Sequence, residues 1–120
     1  MNKNRDQLHL NYQVFVQQAR QYAQVWGLEN DEGWVICDSS EFEETEVMPF
    51  WSSKKLAKQH CVGEWSGYQA SEIDLDEFID RWLKGMIDDN VMVGPNWNEE
   101  LEGLEIDPLD IAKKLLDIHD

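Results

Sequence analysis

Apolar and polar positions alternate with two different periods along this chain, and the change of period divides it. From Leu8 to Trp26 the apolar residues fall at Leu8, Tyr12, Phe15, Val16, Ala19, Tyr22, Ala23 and Trp26. Steps of three and four mark one face of a helix, and Gly27 is placed to end it. The next segment shortens its period. "VWGL" and "WVIC" are β-rich runs on either side of "ENDEG", whose Asn, Asp and Gly suit a tight connection. A second acidic turn, "DSSEFEET", leads into "EVMPFW". Together these predict a meander of three short strands, the last of them lying near an edge or ending at Pro49, which cannot donate to a sheet ladder.

Ser52 or Ser53 then caps a short helix through Lys54 to Cys61. After the loop "VGEWSG", the run "YQASEI" reads as extended. Asp74 with Glu77 forms a capping-box pattern opening a helix whose apolar face is Leu75, Phe78, Ile79, Trp82, Leu83 and Met86. "VMVG" is a short strand and "PNWNEELEG" a loop. Asp107 and Pro108 supply an N-cap and first-turn pair for a last helix carrying Leu109, Ala112, Leu115 and Leu116, with Ile111 and Ile118 beside them. The order is α, three strands, α, strand, α, strand, α. Early strands joined by short turns predict an α+β fold: a small antiparallel or mixed β-sheet of about four to five short strands packed with about four helices. The 120 residues are expected to form a single domain with one core.

Composition narrows the function. Apolar residues are 42% of the chain, six of them tryptophan, and charged residues 29%, a globular balance. The formal net charge is −15. Phosphate backbones and anionic lipid surfaces are repelled at that charge, so nucleic acid and membrane are not expected as partners. A basic protein surface, a metal cation or a positively charged ligand is compatible with this charge. The N-terminus "MNKNRDQLHL" lacks the apolar stretch of a secretory signal, and no run approaches the ~18 apolar residues of a membrane span. Cys37 and Cys61 are far apart and outside any CxxC pattern, which fits free thiols in a reducing compartment. The expected location is the cytoplasm, as monomer or homodimer.

The chemistry-bearing residues form no catalytic constellation. His60 and Cys61 are neighbours, and adjacent helical residues point about 100° apart, so the imidazole is badly placed to activate the thiol. Three scattered histidines and two cysteines have no zinc spacing, and "DLDEFID" lacks the glycine and distal glutamate of a calcium loop. No GxSxG elbow, P-loop or GxGxxG occurs. No catalytic residue, metal or cofactor is expected.

Several of these runs carry a resemblance. "VWGL…DEGW", "MPFWSSKKLA", "EWSGY", "IDLDEFIDRWLKGM" and "VMVGPNW" together resemble the bacterial domain-of-unknown-function family DUF2750, from about Phe15 to Asp120. In order and pattern the strand into "FWSSKKLA", the helix after it and the Val-Gly-Pro-Asn strand are also similar to the N-terminal domain of SseB-like proteins. Neither resemblance implies a reaction.

The aromatics remain. Trp26 and Trp82 fall on helix faces and are expected in the core. Trp65, Tyr68 and Trp97 lie in or beside loops, where rings more often serve contacts. Either these rings plug the ends of a small core, or Trp34, Pro49, Trp51, Trp65 and Tyr68 form the candidate binding surface of what is expected to be a non-catalytic protein-interaction or regulatory module. The alternative is a small-molecule-binding protein or enzyme with a pocket between sheet and helices lined by Trp34, Trp51 and Trp82.

Overall fold

The computed structural model describes residues 3–39 and 42–117. Ser40 and Glu41 of the acidic turn, and Ile118 and His119 after the last helix, lie outside them. Helix α1 (Lys3–Tyr22) is followed by strands β1 (Gln24–Asn30), β2 (Gly33–Trp34), β3 (Cys37–Asp38) and β4 (Glu46–Phe50). Helix α2 (Lys54–Lys58) and a 3-10 turn (Gly63–Trp65) lead to β5 (Gln69–Asp74). Leu75–Glu77, Phe78–Leu83 and Lys84–Asp89 run on as one helix, α3; β6 (Val91–Pro95) and α4 (Pro108–Leu115) complete the chain. The fold is α+β as expected, with six strands among the described residues in two three-stranded sheets, β2-β1-β5 and β3-β4-β6.

The first sheet is antiparallel. In the second, β4 runs antiparallel to β3 and parallel to β6. The two meet where Trp26 and Trp51 exchange both backbone hydrogen bonds, each 2.8 Å. Strand alternation then assigns side chains to two faces. Val25, Phe50, Ile73, Val91 and Val93 join Phe15, Ala19, Phe78, Leu83, Met86, Ile111 and Leu115 in a core under α1, α3 and α4. Leu28, Val47 and Trp51 join Val35, Ala57 and Trp97 in a second core on the other side, beneath α2.

Three local expectations are corrected. Helix α1 stops at Tyr22, not at Gly27, because Ala23 adopts a left-handed conformation (φ 58°) and its carbonyl accepts from Leu75 N at 2.9 Å. Trp26 therefore lies on β1 and not on a helix. Gly27 has a different use: a Cβ there would lie 3.0 Å from the Trp34 ring, so the missing side chain lets that ring lie over β1. Second, β4 is the middle strand of its sheet and not an edge. Pro49 is tolerated because β3 pairs only as far as Val47 on that side, and the Trp26 bridge begins at Trp51. Its missing N–H falls in the gap between them. Third, Asp74 precedes α3 as expected, but its side chain makes no cap. Asp74 still belongs to β5, paired with Gln24, and the first helical N–H is taken by Ala23.

Other caps form as the sequence predicts. Ser53 Oγ accepts from Leu56 N at the start of α2, and Asp107 Oδ1 from Leu109 N ahead of Pro108. In α3 the segment Phe78–Leu83 is π-helical. Phe78 and Leu83 are both buried, although five residues of α-helix would separate them by about 140°. The i→i+5 turn returns both to one face. There Phe50 meets Phe78 and Trp82 edge-on at 4.9 and 5.8 Å, and Trp34 meets Trp82 at 4.7 Å. Each such pair is worth about 0.5–1.5 kcal/mol beyond area burial.

Past β6 the chain wraps the Trp97 ring between two glycines. A Cβ on Gly94 would lie 2.4 Å from the ring and one on Gly103 1.9 Å. Gly103→Ala is expected to cost about 2–3 kcal/mol, since a whole buried indole would have to move. A urea midpoint within error of wild type would contradict this packing. Ala23→Gly should act oppositely. Removing a left-handed non-glycine strain of about 1–2 kcal/mol outweighs the added unfolded-state entropy of about 0.4–1 kcal/mol, leaving the variant about 0.5 kcal/mol more stable. Differential scanning calorimetry checks the sign.

Candidate binding cleft

Helix α2 ends by presenting His60, which is 6% exposed. Its ring stacks on Trp51 with centroids 4.5 Å apart and planes tilted 34°. Nδ1 lies 2.9 Å from Leu56 O, one helical turn back, and Nε2 lies 2.8 Å from Asn98 O. Each ring nitrogen thus faces a backbone carbonyl, to which the nitrogen carrying the proton donates. His60 is a brace between α2 and the 98–102 loop, and neither nitrogen is turned to Cys61. Burial pushes the Cys61 thiol up, with Lys58 opposing; burial and Asp38 push Cys37 up as well. Raised thiols hold less thiolate, the reverse of an activated nucleophile.

The loop that follows β6 is held from several directions. Asn96 (φ 47°) is buried; its N–H donates to Phe50 O, its Oδ1 accepts from Ser52 N at 2.8 Å, and its Nδ2 donates to Ser52 Oγ at 3.0 Å. Ser52 Oγ donates in turn to Gln18 Oε1 of α1 at 2.6 Å. Trp97 accepts at its carbonyl from Trp51 Nε1 and donates from its own Nε1 to Leu104 O, both 3.0 Å. Asn98 Oδ1 accepts from Glu100 N and Glu102 N at 2.9 and 3.0 Å, and Leu101 N donates to Asn98 O at 2.9 Å. Leu101 is forced to φ 61° and its side chain stays 45% exposed. A branched side chain held in the left-handed region is costly and persists where surrounding contacts over-determine it.

This brace shapes two adjoining clefts. One, of about 400 Å³, is backed by Trp51, His60, Asn96 and Trp97 and bounded by Glu99 and Glu100. The other, of about 160 Å³, lies between Trp65, Glu64, Val62 and Leu101. Gln59, His60 and Glu99 line both, and no Lys or Arg among the described residues lines either. Val62 is 66% exposed, so beside Leu101 it forms an apolar margin among the acids.

The residues singled out from sequence are divided by the fold. Trp51, Trp65 and Tyr68 are brought together in the core beneath α2. Trp51 is fully buried and backs the larger cleft, so it does not offer its ring to a partner as expected. Pro49 is buried in β4. Trp34 lies in the opposite core against Trp82. Trp34, Trp51 and Trp82 therefore do not converge on one pocket: Phe50 faces the core where Trp34 meets Trp82, and Trp51, the next residue along, faces the other. Trp97, expected in an open loop, is buried. Glu99, Glu100, Leu101 and Val62 went unselected. The signal for them was the pair Asn96 and Asn98 around Trp97, since asparagine both tolerates left-handed backbone and ties turns with its side chain.

Among the described residues no group of three or more His, Cys, Asp or Glu is gathered as a metal ion would require, and no helix is long and apolar enough to cross a membrane. No curated protein and no solved structure matches the chain. Nothing in these comparisons supports the likeness to the SseB-like N-terminal domain. The model for one family, described as protein of unknown function (DUF2750), matches residues 12–115. With the second half of α1, both cores and the cleft loop inside that span, the chain belongs to the DUF2750 family.

Proposed function

We propose that this protein is a non-catalytic interaction or regulatory module of the cytoplasm, binding a basic protein surface through the 98–102 loop and the clefts beside it. The observation that carries this reading is the braced loop. Structure-wide contacts hold Leu101 in a strained conformation, and the effect is to keep an apolar side chain and two carboxylates, Glu99 and Glu100, facing solvent. Whatever its structural origin, such rigidity favours binding, because ordering costs are met in advance. Trp65, Val62 and Leu101 supply the apolar contact, and Glu64, Glu99 and Glu100 steer a cationic partner.

Trp51 and His60 serve the site indirectly in this reading, Trp51 by holding the backbone of Trp97 and His60 that of Asn98. The net charge of −15 extends the attraction beyond the cleft, and screening sets in over a Debye length of about 8 Å at physiological salt.

The test is capture from lysate of the source organism with wild type and a Glu99→Lys, Glu100→Lys double variant. Both positions are exposed, so the fold should be unchanged. A partner captured stoichiometrically by wild type at low salt should fall by at least about tenfold with the double variant, the effect of ~1.4 kcal/mol. Equal capture by both proteins would show that the loop is not the docking surface.

A further inference from the structure

The other side of α1 carries a different feature. Helical positions turn about 100° per residue, so Asn11, Val14 and Gln18, which face the cleft and its buried network, lie opposite His9, Val16 and Arg20. That opposite side borders α4 and holds a groove of about 620 Å³, within the ~300–1,000 Å³ range of small-ligand sites. Two stripes of α1 line it at i, i+4 spacing. One is Tyr12, Val16 and Arg20, an apolar floor ending in a guanidinium; the other is His9, Gln13, Gln17 and Gln21, a row of hydrogen-bonding tips. Lys114 of α4 stands across from them.

Three of the groove's features are unusual together. In a chain with 10 Lys and Arg against 25 Asp and Glu, the groove lining holds Arg20, Lys114 and His9 and, among the described residues, no acid. Its floor is apolar but continuous with the core, since Tyr12 and Val16 pack against the cluster containing Phe15 and Ile111. Two carboxylates stand at its margins: Asp117 lies 3.5 Å from the groove's own Arg20 in an exposed pair, and Asp110 is near enough to act on the Tyr12 phenol. An exposed pair of that kind is worth about 0–1 kcal/mol, so a ligand carboxylate can replace Asp117 on the guanidinium at little cost. Burial and Asp110 push the Tyr12 phenol up to about 12, so it remains protonated and available as a donor at any physiological pH.

We propose that the α1–α4 groove binds a small amphiphilic carboxylate, with its anionic head between Arg20 and Lys114 and its apolar body over Tyr12 and Val16. The glutamine row gives hydroxyl or amide groups on such a ligand their partners. A single negative charge fits better than a phosphate dianion, because the field of the surrounding acids opposes each added charge. This site is separate from the 98–102 loop and stands or falls independently of the interaction reading.

The probes are octanoate, its neutral counterpart octanamide, and inorganic phosphate, titrated into the full chain and followed by two-dimensional amide NMR. Octanoate should bind saturably, at about millimolar or tighter, as expected for a ligand of its size. Its shifts should centre on Tyr12, Val16, Gln17 and Lys114. Lys114→Glu and, separately, Gln17→Glu should each weaken it at least about tenfold while leaving the unperturbed spectrum folded. Either variant suffices if the other misfolds. Equal binding of octanamide would overturn the carboxylate assignment. Shifts centred elsewhere, no saturable shifts, or full affinity in both glutamate variants would overturn the site, and preferential binding of phosphate would overturn the ligand class.

Discussion

The reciprocal hydrogen bonds between Trp26 and Trp51 hold the architecture together. Without them β2-β1-β5 and β3-β4-β6 are two small sheets, neither large enough to shield two faces. Joined at that point, they form a middle layer with a core on each side. The join also decides where Pro49 can sit, because the backbone gap between β3 and β1 is the one stretch of β4 where a missing donor leaves nothing unpaired. Trp51 is then buried completely by its surroundings, and its Nε1 must find a partner inside the protein. It finds the carbonyl of Trp97.

From that bond the cleft loop follows. Fixing the Trp97 carbonyl places the indole of Trp97 between Gly94 and Gly103, and the chain has to close tightly around it. Asn96 and Asn98 satisfy the backbone on either side, and His60 reaches across from α2 to hold the Asn98 carbonyl. The residues with the most conspicuous side chains are therefore framework, and the ones left facing solvent are Glu99, Glu100 and Leu101. Rigidity at the surface is here a by-product of burying two tryptophans whose polar atoms need partners.

The charge is distributed to match. Acids crowd the turns and the cleft margins, where water solvates them, while the groove on the far side of α1 is lined by base and amide. A protein of net charge −15 repels anions on average, so a local reversal of sign has to be built from particular side chains. Arg20, His9 and Lys114 come from two helices that meet only in the folded state.

Periodicity alone located the helical segments, though it ran the first of them on into β1. The alternation of Val47, Met48, Phe50 and Trp51 between two layers can be read directly, because successive strand residues must point to opposite sides. The caps at Ser53 and Asp107 were equally legible, since each depends on groups within three residues. What the sequence could not reveal depended on groups distant along the chain. Ala23 rather than Gly27 ends α1 because Leu75 supplies its carbonyl with a donor, and Trp26 is a strand residue because Trp51 lies beside it. Trp51 is core and not surface for the same reason, and Leu101 became the exposed residue only because the loop was drawn tight around Trp97. Local spacing fixes local geometry, whereas exposure is settled by whatever the rest of the chain lays over a side chain, and only the tertiary structure decides that.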